Sequence, residues 1–263
     1  YREKWHAAVQ NFRKPAQFNQ NDPLVEEIFK RLGTKNGFFV EFGAWDGIVN
    51  SNTRKLFLEG WGGVLIEPHR DRYEELKKTY EDSEHVHCIN SYVDNKNNLF
   101  DNIAGNYVAD KIDFCSIDID GLDLEAFEAV EKFLPEVVCI VPIKVSKENT
   151  QQGIYVMNEV FESKGYKLLC TYQDSFFIKE KYYDLFDVEN DLVELYLDGI
   201  LALPRIPWIQ SKLSEVGLKN NFLDVIMNNV TGFCLATHRK EQKMKWVDDQ
   251  YANIQEAVEK IRA

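Results

Sequence analysis

The sequence predicts an α/β fold in which a mostly parallel sheet carries helices on both faces. The stretch 38–42 is an apolar run with the length and composition of a buried strand, and Gly43 and Gly47 end it. Asn50 or Ser51 can then cap a helix. A strand, a small-residue turn and a helix N-terminus together form the unit with which α/β domains hold adenosine-containing ligands.

Six further apolar runs have the length of strands, and amphipathic segments separate most of them. These runs cover 63–66, 86–93, 112–119, 137–141, 166–171 and 175–178. Apolar residues recur at helical spacing in 24–32, 71–80, 124–130 and 153–164. Only a short turn, Gln173-Asp174, separates the last two runs, so we expect an antiparallel strand at the end of the sheet.

The pattern divides the chain into three parts. Residues 1–23 are polar and aromatic and predict a docked N-terminal arm, and residues 24–180 form the core. In 181–263 a proline-rich bend is followed, near the end of the chain, by apolar residues at helical spacing. This pattern predicts a mostly helical C-terminal extension, which could form one wall of the acceptor site. The chain begins at Tyr1 instead of Met, so we expect it to belong to a larger multidomain polypeptide.

The composition limits the classes of function. The formal net charge of −12 argues against nucleic acid as a partner, because a phosphate backbone requires a basic surface. No apolar run approaches the ~18 residues of a membrane span, and no export signal is visible. The five cysteines are odd in number and lack a Cys-x-x-Cys pair, which argues against zinc or disulfides. We therefore expect a soluble, cytoplasmic protein.

The turn after the first strand carries acids where a dinucleotide site would carry only glycines and bare amides. Glu41 precedes Gly43 and Asp46 follows it, and the stretch does not match Gly-x-Gly-x-x-Gly. Two carboxylates would repel a pyrophosphate and attract a cation, and S-adenosylmethionine carries a sulfonium and an ammonium. Glu67 ends the next apolar run, where a ribose-binding carboxylate belongs. The pattern favours S-adenosylmethionine over NAD; the alternative is an ordinary turn with a chance acid.

Three segments resemble the FkbM-like family of S-adenosylmethionine-dependent methyltransferases. They are Glu41-Phe42-Gly43-Ala44-Trp45-Asp46-Gly47, Ser51-Asn52-Thr53 and Gly60-Trp61-Gly62-Gly63-Val64-Leu65-Ile66-Glu67-Pro68. The resemblance implies a Rossmann-like class I methyltransferase sheet of seven strands with the last one antiparallel. It also implies S-adenosyl-L-methionine as cofactor and O-methyl transfer to a sugar hydroxyl of a small molecule, glycan or glycoconjugate.

The cofactor-binding residues follow from this resemblance and from the fold. The family motifs and the charge pattern point to Glu41, Gly43, Ala44, Asp46, Ser51, Asn52, Glu67, Pro68 and, after the fourth strand, Asp118. The end of the third strand usually faces the adenine in nucleotide-binding α/β folds, which adds Tyr92 and Val93.

Asp118 and Asp120 end the fourth predicted strand and precede Gly121. Strand alternation puts them on the same side of the strand end, where neighbouring carboxylates raise each other's proton affinity. An alcohol acceptor needs a base, and we expect Asp120 in this role with Asp118 orienting the cofactor or acceptor. In the alternative interpretation one acid caps the next helix and the other is solvated.

The sequence after the fifth predicted strand argues against a divalent metal without deciding the question. Some sugar O-methyltransferases with a similar Asp-x-Asp bind one with acids from the next strand, but this chain carries Pro142-Ile143-Lys144 there. That departure also favours a second hypothesis, a non-catalytic cofactor-binding or scaffold module of a glycan-assembly protein. An NAD-linked oxidoreductase comes third, because Glu41 and Asp46 and the absent third glycine disfavour it.

Overall fold

The computed structural model describes residues 17–94, 96, 99–119, 121–141, 154–171, 174–188, 192 and 195. Asp120, Pro142-Ile143-Lys144 and nearly all of the predicted C-terminal extension lie outside the described residues. The division into arm, core and extension therefore stays a prediction. No helix in the described ranges is long and apolar enough to cross a membrane.

Seven strands and six α-helices alternate along the described chain. The strands are β1 (Phe38–Phe42), β2 (Gly62–Ile66), β3 (Val86–Ile89), β4 (Phe114–Ile117), β5 (Val137–Ile140), β6 (Tyr166–Thr171) and β7 (Ser175–Lys179). The helices are α1 (Asp22–Leu32), α2 (Arg54–Leu58), α3 (Arg70–Thr79), α4 (Phe100–Ile103), α5 (Asp123–Glu128) and α6 (Ile154–Ser163). A 3-10 helix, Glu180–Leu185, follows β7.

The strands form one sheet in the order β3-β2-β1-β4-β5-β7-β6. The ladders from β3 through β5 are parallel, and β7 runs antiparallel to both of its neighbours, β5 and β6. The prediction of seven strands with the last one antiparallel is confirmed. This strand order is the Rossmann-like class I methyltransferase sheet that the resemblance implies.

Strand alternation gives the sheet two apolar faces, each covered by helices. On one face Phe39, Leu65, Phe114 and Cys139 pack in a buried cluster with Leu24, Val25, Ile28 and Phe29 of α1. On the other face Val40, Phe42, Val138 and Phe177 pack with residues of α5 and α6. There Phe161 of α6 stacks on Phe127 of α5 and on Phe177, with ring centroids 3.9 and 3.8 Å apart. Burial on both faces explains why these strands are continuous apolar runs.

The strands β2 and β3 lie on one side of β1, and β4 and β5 lie on its other side, so the order in which the chain adds strands reverses between β1 and β4. In open α/β sheets ligands bind outside the carboxyl ends of the strands at such a switch point. The loops that follow β1, β2 and β4 all leave the sheet at this edge, so the fold brings the acidic motifs of the sequence to one place.

Candidate active site at the carboxyl edge of the sheet

Gly43 makes the turn at the end of β1. Its φ is +70°, and a Cβ placed there would collide with the backbone carbonyl oxygen of Asp118. The Gly43 and Ala44 N–H groups both donate to the carbonyl of Ile66, at 3.0 and 3.1 Å. Because only glycine fits, the loops after β1, β2 and β4 approach each other closely around this turn. The predicted site residues Gly43, Ala44 and Asp118 therefore do come together.

Glu41 is almost fully buried in β1 and binds the loop that leads into α2. Its Oε2 accepts hydrogen bonds from the hydroxyls of Ser51 at 2.7 Å and Thr53 at 2.6 Å, and its Oε1 accepts one from the Asn52 N–H at 2.8 Å. Burial raises the pKa of Glu41 to about 7, although these hydrogen bonds oppose the rise and Asp118 adds to it. Glu41, Ser51, Asn52 and Thr53 thus form one hydrogen-bonded group, the Glu41 unit, which holds the loop 51–53 in place beside β1.

Glu67 joins the turn after β1 to the turn after β2. Its side chain is 2% exposed, its Oε2 accepts from the Trp45 N–H at 2.9 Å, and its Oε1 accepts from the His69 N–H at 2.8 Å. The Asn90 amide donates to the carbonyls of Glu67 and Pro68, at 2.8 and 3.0 Å. Each carboxylate oxygen keeps a second lone pair, with which it could accept a ribose hydroxyl.

Asp46 stabilises the turn that follows β1 through its side chain and its carbonyl. Its Oδ1 accepts hydrogen bonds from the Ile48 and Val49 N–H groups, both at 2.9 Å, and its carbonyl accepts from the Thr79 hydroxyl at 2.9 Å. This arrangement is an Asx-type turn, in which the side chain replaces a backbone acceptor. The predicted cofactor contact of Asp46 stays a prediction beside this local structural role.

The two residues predicted near the adenine differ in environment. Tyr92 is 63% exposed, whereas Val93 is buried in the apolar cluster that also contains Val64 and Phe100. The predicted third run, 86–93, ends as a strand already at Ile89, and the side chain of Asn90 just beyond it donates to the carbonyls of Glu67 and Pro68. Tyr92 and Val93 therefore belong to a loop beyond the strand.

Asp123, which sequence reasoning missed, fixes the loop after β4. Its buried carboxylate accepts hydrogen bonds from the Ile119 N–H at 2.8 Å and the Gly121 N–H at 3.0 Å. These hydrogen bonds hold the loop that precedes α5 and differ from the helix cap that the alternative interpretation gave to Asp118 or Asp120. Asp118 is exposed at the carboxyl end of β4. An acid two positions after Gly121, at the first residue of α5, was the available signal.

A second buried polar cluster, also missed, joins α1 to the sheet. It consists of Asn21, Asn52, Ser116, Cys139 and Asp174. The Asn21 amide donates to Asn52 Oδ1 at 2.9 Å and to Asp174 Oδ2, and the Asn52 amide donates to Ser116 Oγ at 2.9 Å. Since Asn52 also binds Glu41 through its N–H, the cluster and the Glu41 unit are continuous.

The described His, Cys, Asp and Glu side chains offer little that could bind a metal ion. Within the described ranges there is no group of three or more His, Cys, Asp or Glu side chains that could hold a metal ion. The described cysteines are free thiols, and burial raises the pKa of Cys139 and Cys170 well above the usual value, so thiolate ligands are disfavoured there.

No family model matches the chain, and no curated protein matches it. Solved structures similar to it include a SAM-dependent methyltransferase from Aquifex aeolicus, at 16% identity and a TM-score of 0.38, covering 58% of this chain and 86% of the other. A TehB-like SAM-dependent methyltransferase from Corynebacterium glutamicum has 10% identity, a TM-score of 0.42, and coverage of 67% and 98%. M. jannaschii TYW2 in complex with AdoMet has 16% identity, a TM-score of 0.38, and coverage of 62% and 78%.

Proposed function

We propose that this chain is an S-adenosylmethionine-dependent O-methyltransferase of the FkbM-like type. The observation that carries the proposal is the position of three carboxylates, Glu41, Glu67 and Asp118, around a turn at the sheet's switch point that only glycine can make. A turn without side chains leaves room for a ligand to lie against the backbone. Glu67 and Asp118 favour a ligand that is cationic and carries hydroxyl groups, whereas burial raises the pKa of Glu41 to about 7, so that Glu41 contributes less negative charge.

S-adenosylmethionine satisfies each of these requirements. Glu67 would accept the ribose hydroxyls, as a carboxylate at the end of the second strand does in nucleotide-binding α/β folds. Asp118, beside the Gly43 turn, would face the ammonium or sulfonium end, and the Glu41 unit would hold the loop 51–53 in shape. The pyrophosphate of NAD would meet the same negative charges unfavourably. The NAD-linked alternative is correspondingly weak.

In the proposed reaction the acceptor oxygen attacks the methyl carbon. When bound, S-adenosylmethionine supplies an electrophilic methyl group on a positively charged sulfur. The new O–CH₃ bond forms as the S–CH₃ bond breaks, its electron pair goes to sulfur, and the hydroxyl proton goes to a carboxylate. We assign this base role to Asp120, with Asp118 orienting the reacting groups, because both follow β4 at the switch point. Alignment of oxygen, carbon and sulfur would supply much of the rate.

The acceptor that we propose is a sugar hydroxyl of a small molecule, glycan or glycoconjugate. The family resemblance supports this choice, and the net charge of −12 supports the exclusion of nucleic acid as the acceptor. The non-catalytic cofactor-binding module remains the second candidate, because Pro142-Ile143-Lys144 replaces the acid of some relatives. Transfer of a methyl group to any sugar, abolished by Asp120→Asn while the cofactor still binds, would decide for the enzyme.

The binding step can be tested without knowing the acceptor. We would titrate the protein calorimetrically with S-adenosylhomocysteine and, separately, with NAD. We expect micromolar affinity for the first and none for the second, and a loss of about 10- to 100-fold in Glu67→Ala, since hydrogen bonds to a charged group are lost.

Glu59→Ala, an exposed acid at the end of α2, serves as the matched control and should bind like the wild type. If the wild-type protein binds NAD and not S-adenosylhomocysteine, the proposed function is wrong. If Glu67→Ala binds as well as the control, the ribose assignment fails while the cofactor assignment stands.

A further inference from the structure

Trp45, two residues after Gly43, has a side chain to which the proposed function gives no role. The Gly47 N–H donates to the carbonyl of Ala44 at 2.8 Å, so Trp45 and Asp46 are the two central residues of a turn. The φ of Trp45 is +51°. A positive φ at the first central position of a turn is usually found in glycine, asparagine or aspartate, and it is an outlier for a bulky residue. The chain therefore carries a conformational cost to hold an indole ring at this point.

Hydrogen bonds fix the main chain on both sides of this ring. The Trp45 N–H donates to Glu67 Oε2 at 2.9 Å, and the carbonyl of Asp46 accepts from the Thr79 hydroxyl at 2.9 Å. Because the backbone sets the direction of the Cα–Cβ bond, the indole ring can move only about its own two side-chain torsions. The turn thus presents a rigid aromatic group at the carboxyl edge of the sheet.

The indole ring has one face covered and is otherwise open. The guanidinium carbon of Arg72, in α3, lies 4.3 Å from the ring centroid in a cation–π contact, and Glu75 holds Arg72 through an ion pair of 2.6 Å. Trp45 is nevertheless 44% exposed, whereas Trp61 in the core is 2% exposed. Among the residues that the structure describes, no aromatic ring and no second cation stacks on Trp45. One face of the ring is therefore left for a ligand.

The open ring lies beside the carboxylate to which we assign the ribose. The Glu67 oxygen that accepts the Trp45 N–H keeps a second lone pair for a ligand hydroxyl. A ribose bound there is separated from the main chain of Trp45 by a single oxygen atom, so a nucleobase attached to that ribose lies within reach of the indole. Flat aromatic nucleobases stack well on tryptophan.

We propose that Trp45 binds the adenine of the cofactor by stacking the open face of its indole on the nucleobase. The proposal rests on the methyltransferase function proposed above and adds recognition of the adenine to the ribose and amino-acid contacts assigned there. A ring that is backed by Arg72 and held on a fixed turn loses little freedom when a nucleobase stacks on it. Trp45 touches the cofactor but no reacting atom, so its role is binding.

The test compares wild-type protein with Trp45→Gly and Trp45→Phe in calorimetric titrations with S-adenosylhomocysteine. Trp45→Gly should bind it about 5- to 100-fold more weakly, which is the loss expected for one stack of a nucleobase on an aromatic side chain. Trp45→Phe keeps a flat ring on the same turn, so its affinity should stay within about threefold of the wild type.

A stability measurement and a matched control separate stacking from folding. Glycine adopts the φ of residue 45 without strain, so the urea midpoint of Trp45→Gly should be no lower than that of the wild type. Tyr107→Ala is the control, because Tyr107 is also an exposed aromatic residue, at 39%, and also lies against one side chain, with its ring centroid 4.5 Å from that of His87. It lies between α4 and β4 and should bind S-adenosylhomocysteine like the wild type.

A ligand without the nucleobase gives an independent readout. S-ribosylhomocysteine keeps the ribose and the homocysteine and carries a hydroxyl in place of adenine, and competition against tritiated S-adenosylhomocysteine measures its affinity. Wild-type protein should bind it at least about fivefold more weakly than S-adenosylhomocysteine. Trp45→Gly should bind it no more weakly than the wild type does, because this ligand has no nucleobase contact to lose.

Three results would overturn the inference. These are unchanged affinity of Trp45→Gly for S-adenosylhomocysteine, a loss in Trp45→Phe as large as that in Trp45→Gly, and equal affinity of the wild-type protein for the two ligands. A lower urea midpoint in Trp45→Gly, with both ligands weakened alike, would make the role of Trp45 structural and would overturn it too. Failure of the wild-type protein to bind S-adenosylhomocysteine would instead refute the proposed function, and the wild-type titration, done first, distinguishes the two failures.

Discussion

Replacing Glu41 by Gln should change how the stability of the protein depends on pH. In the folded protein burial raises the pKa of Glu41 to about 7, against an ordinary value of 4.5. Glutamine has nearly the same shape and can still accept the Asn52 N–H, while the Ser51 and Thr53 hydroxyls can rotate to accept from its amide. The fold should therefore survive, and only the titration is removed.

Proton linkage determines whether the contribution of Glu41 to stability rises or falls with pH. Below about pH 4.5 Glu41 is protonated in both the folded and the unfolded chain. Between about pH 4.5 and 7 the unfolded chain loses the proton and the folded chain retains it, so the contribution of Glu41 to stability falls as the pH rises. Each pH unit is worth about 1.4 kcal/mol, which gives a loss of about 3 kcal/mol, complete above about pH 7.

Urea unfolding of both proteins at several pH values between 4.5 and 8 measures this effect, because the difference between them cancels the other titrating groups. The free energy of unfolding of wild type minus that of Glu41→Gln should fall by about 3 kcal/mol up to pH 7 and then stay constant. A difference that is independent of pH, or that rises with pH, would show that Glu41 is ionised in the folded protein throughout. The account of the Glu41 unit would then be wrong.

Two further predictions concern the backbone around the same site. Gly43→Ala should destabilise the fold far more than Gly33→Ala. Both glycines have φ near +70°, but only a Cβ at residue 43 would meet the carbonyl of Asp118. Equal losses of unfolding free energy in urea titrations of the two variants would contradict the close approach of Gly43 to Asp118. Asp123→Ala removes the carboxylate that accepts from the N–H groups of Ile119 and Gly121. We expect the free energy of unfolding to fall by about 2–4 kcal/mol and S-adenosylhomocysteine to bind more weakly. Unchanged affinity would show that this loop does not touch the cofactor.

The fold could be predicted from sequence because its signals are local. Each strand is a short apolar run between turn residues, and the short turn before Ser175 was enough to predict the antiparallel β7. The Gly43 turn and Glu67 were recognisable for the same reason, since their spacing along the chain is set by one strand-helix-strand unit. The third strand is shorter than predicted, and Asn90 just beyond it bonds to a neighbouring turn, a contact that periodicity cannot reveal.

The buried polar cluster could not be predicted, because its members are far apart in sequence. Asn21 is 31 residues from Asn52 and 153 residues from Asp174, and only the packing of α1 against the sheet brings the three together. Sequence alone makes Asp174 a turn residue, and nothing near it indicates burial. Asp123 was missed for a different reason, since the adjacent Asp-x-Asp motif offered a more conspicuous pair of acids.

A crystal structure of the protein with S-adenosylhomocysteine tests the central claim most directly. We predict that the ligand lies outside the carboxyl ends of β1 and β4, with its ribose hydroxyls on Glu67 and its amino-acid end beside Gly43 and Asp118. A complex with the ligand elsewhere on the sheet, or with its amino-acid end at Glu67 and its ribose at Asp118, would contradict the assignment of this edge as a methyltransferase site.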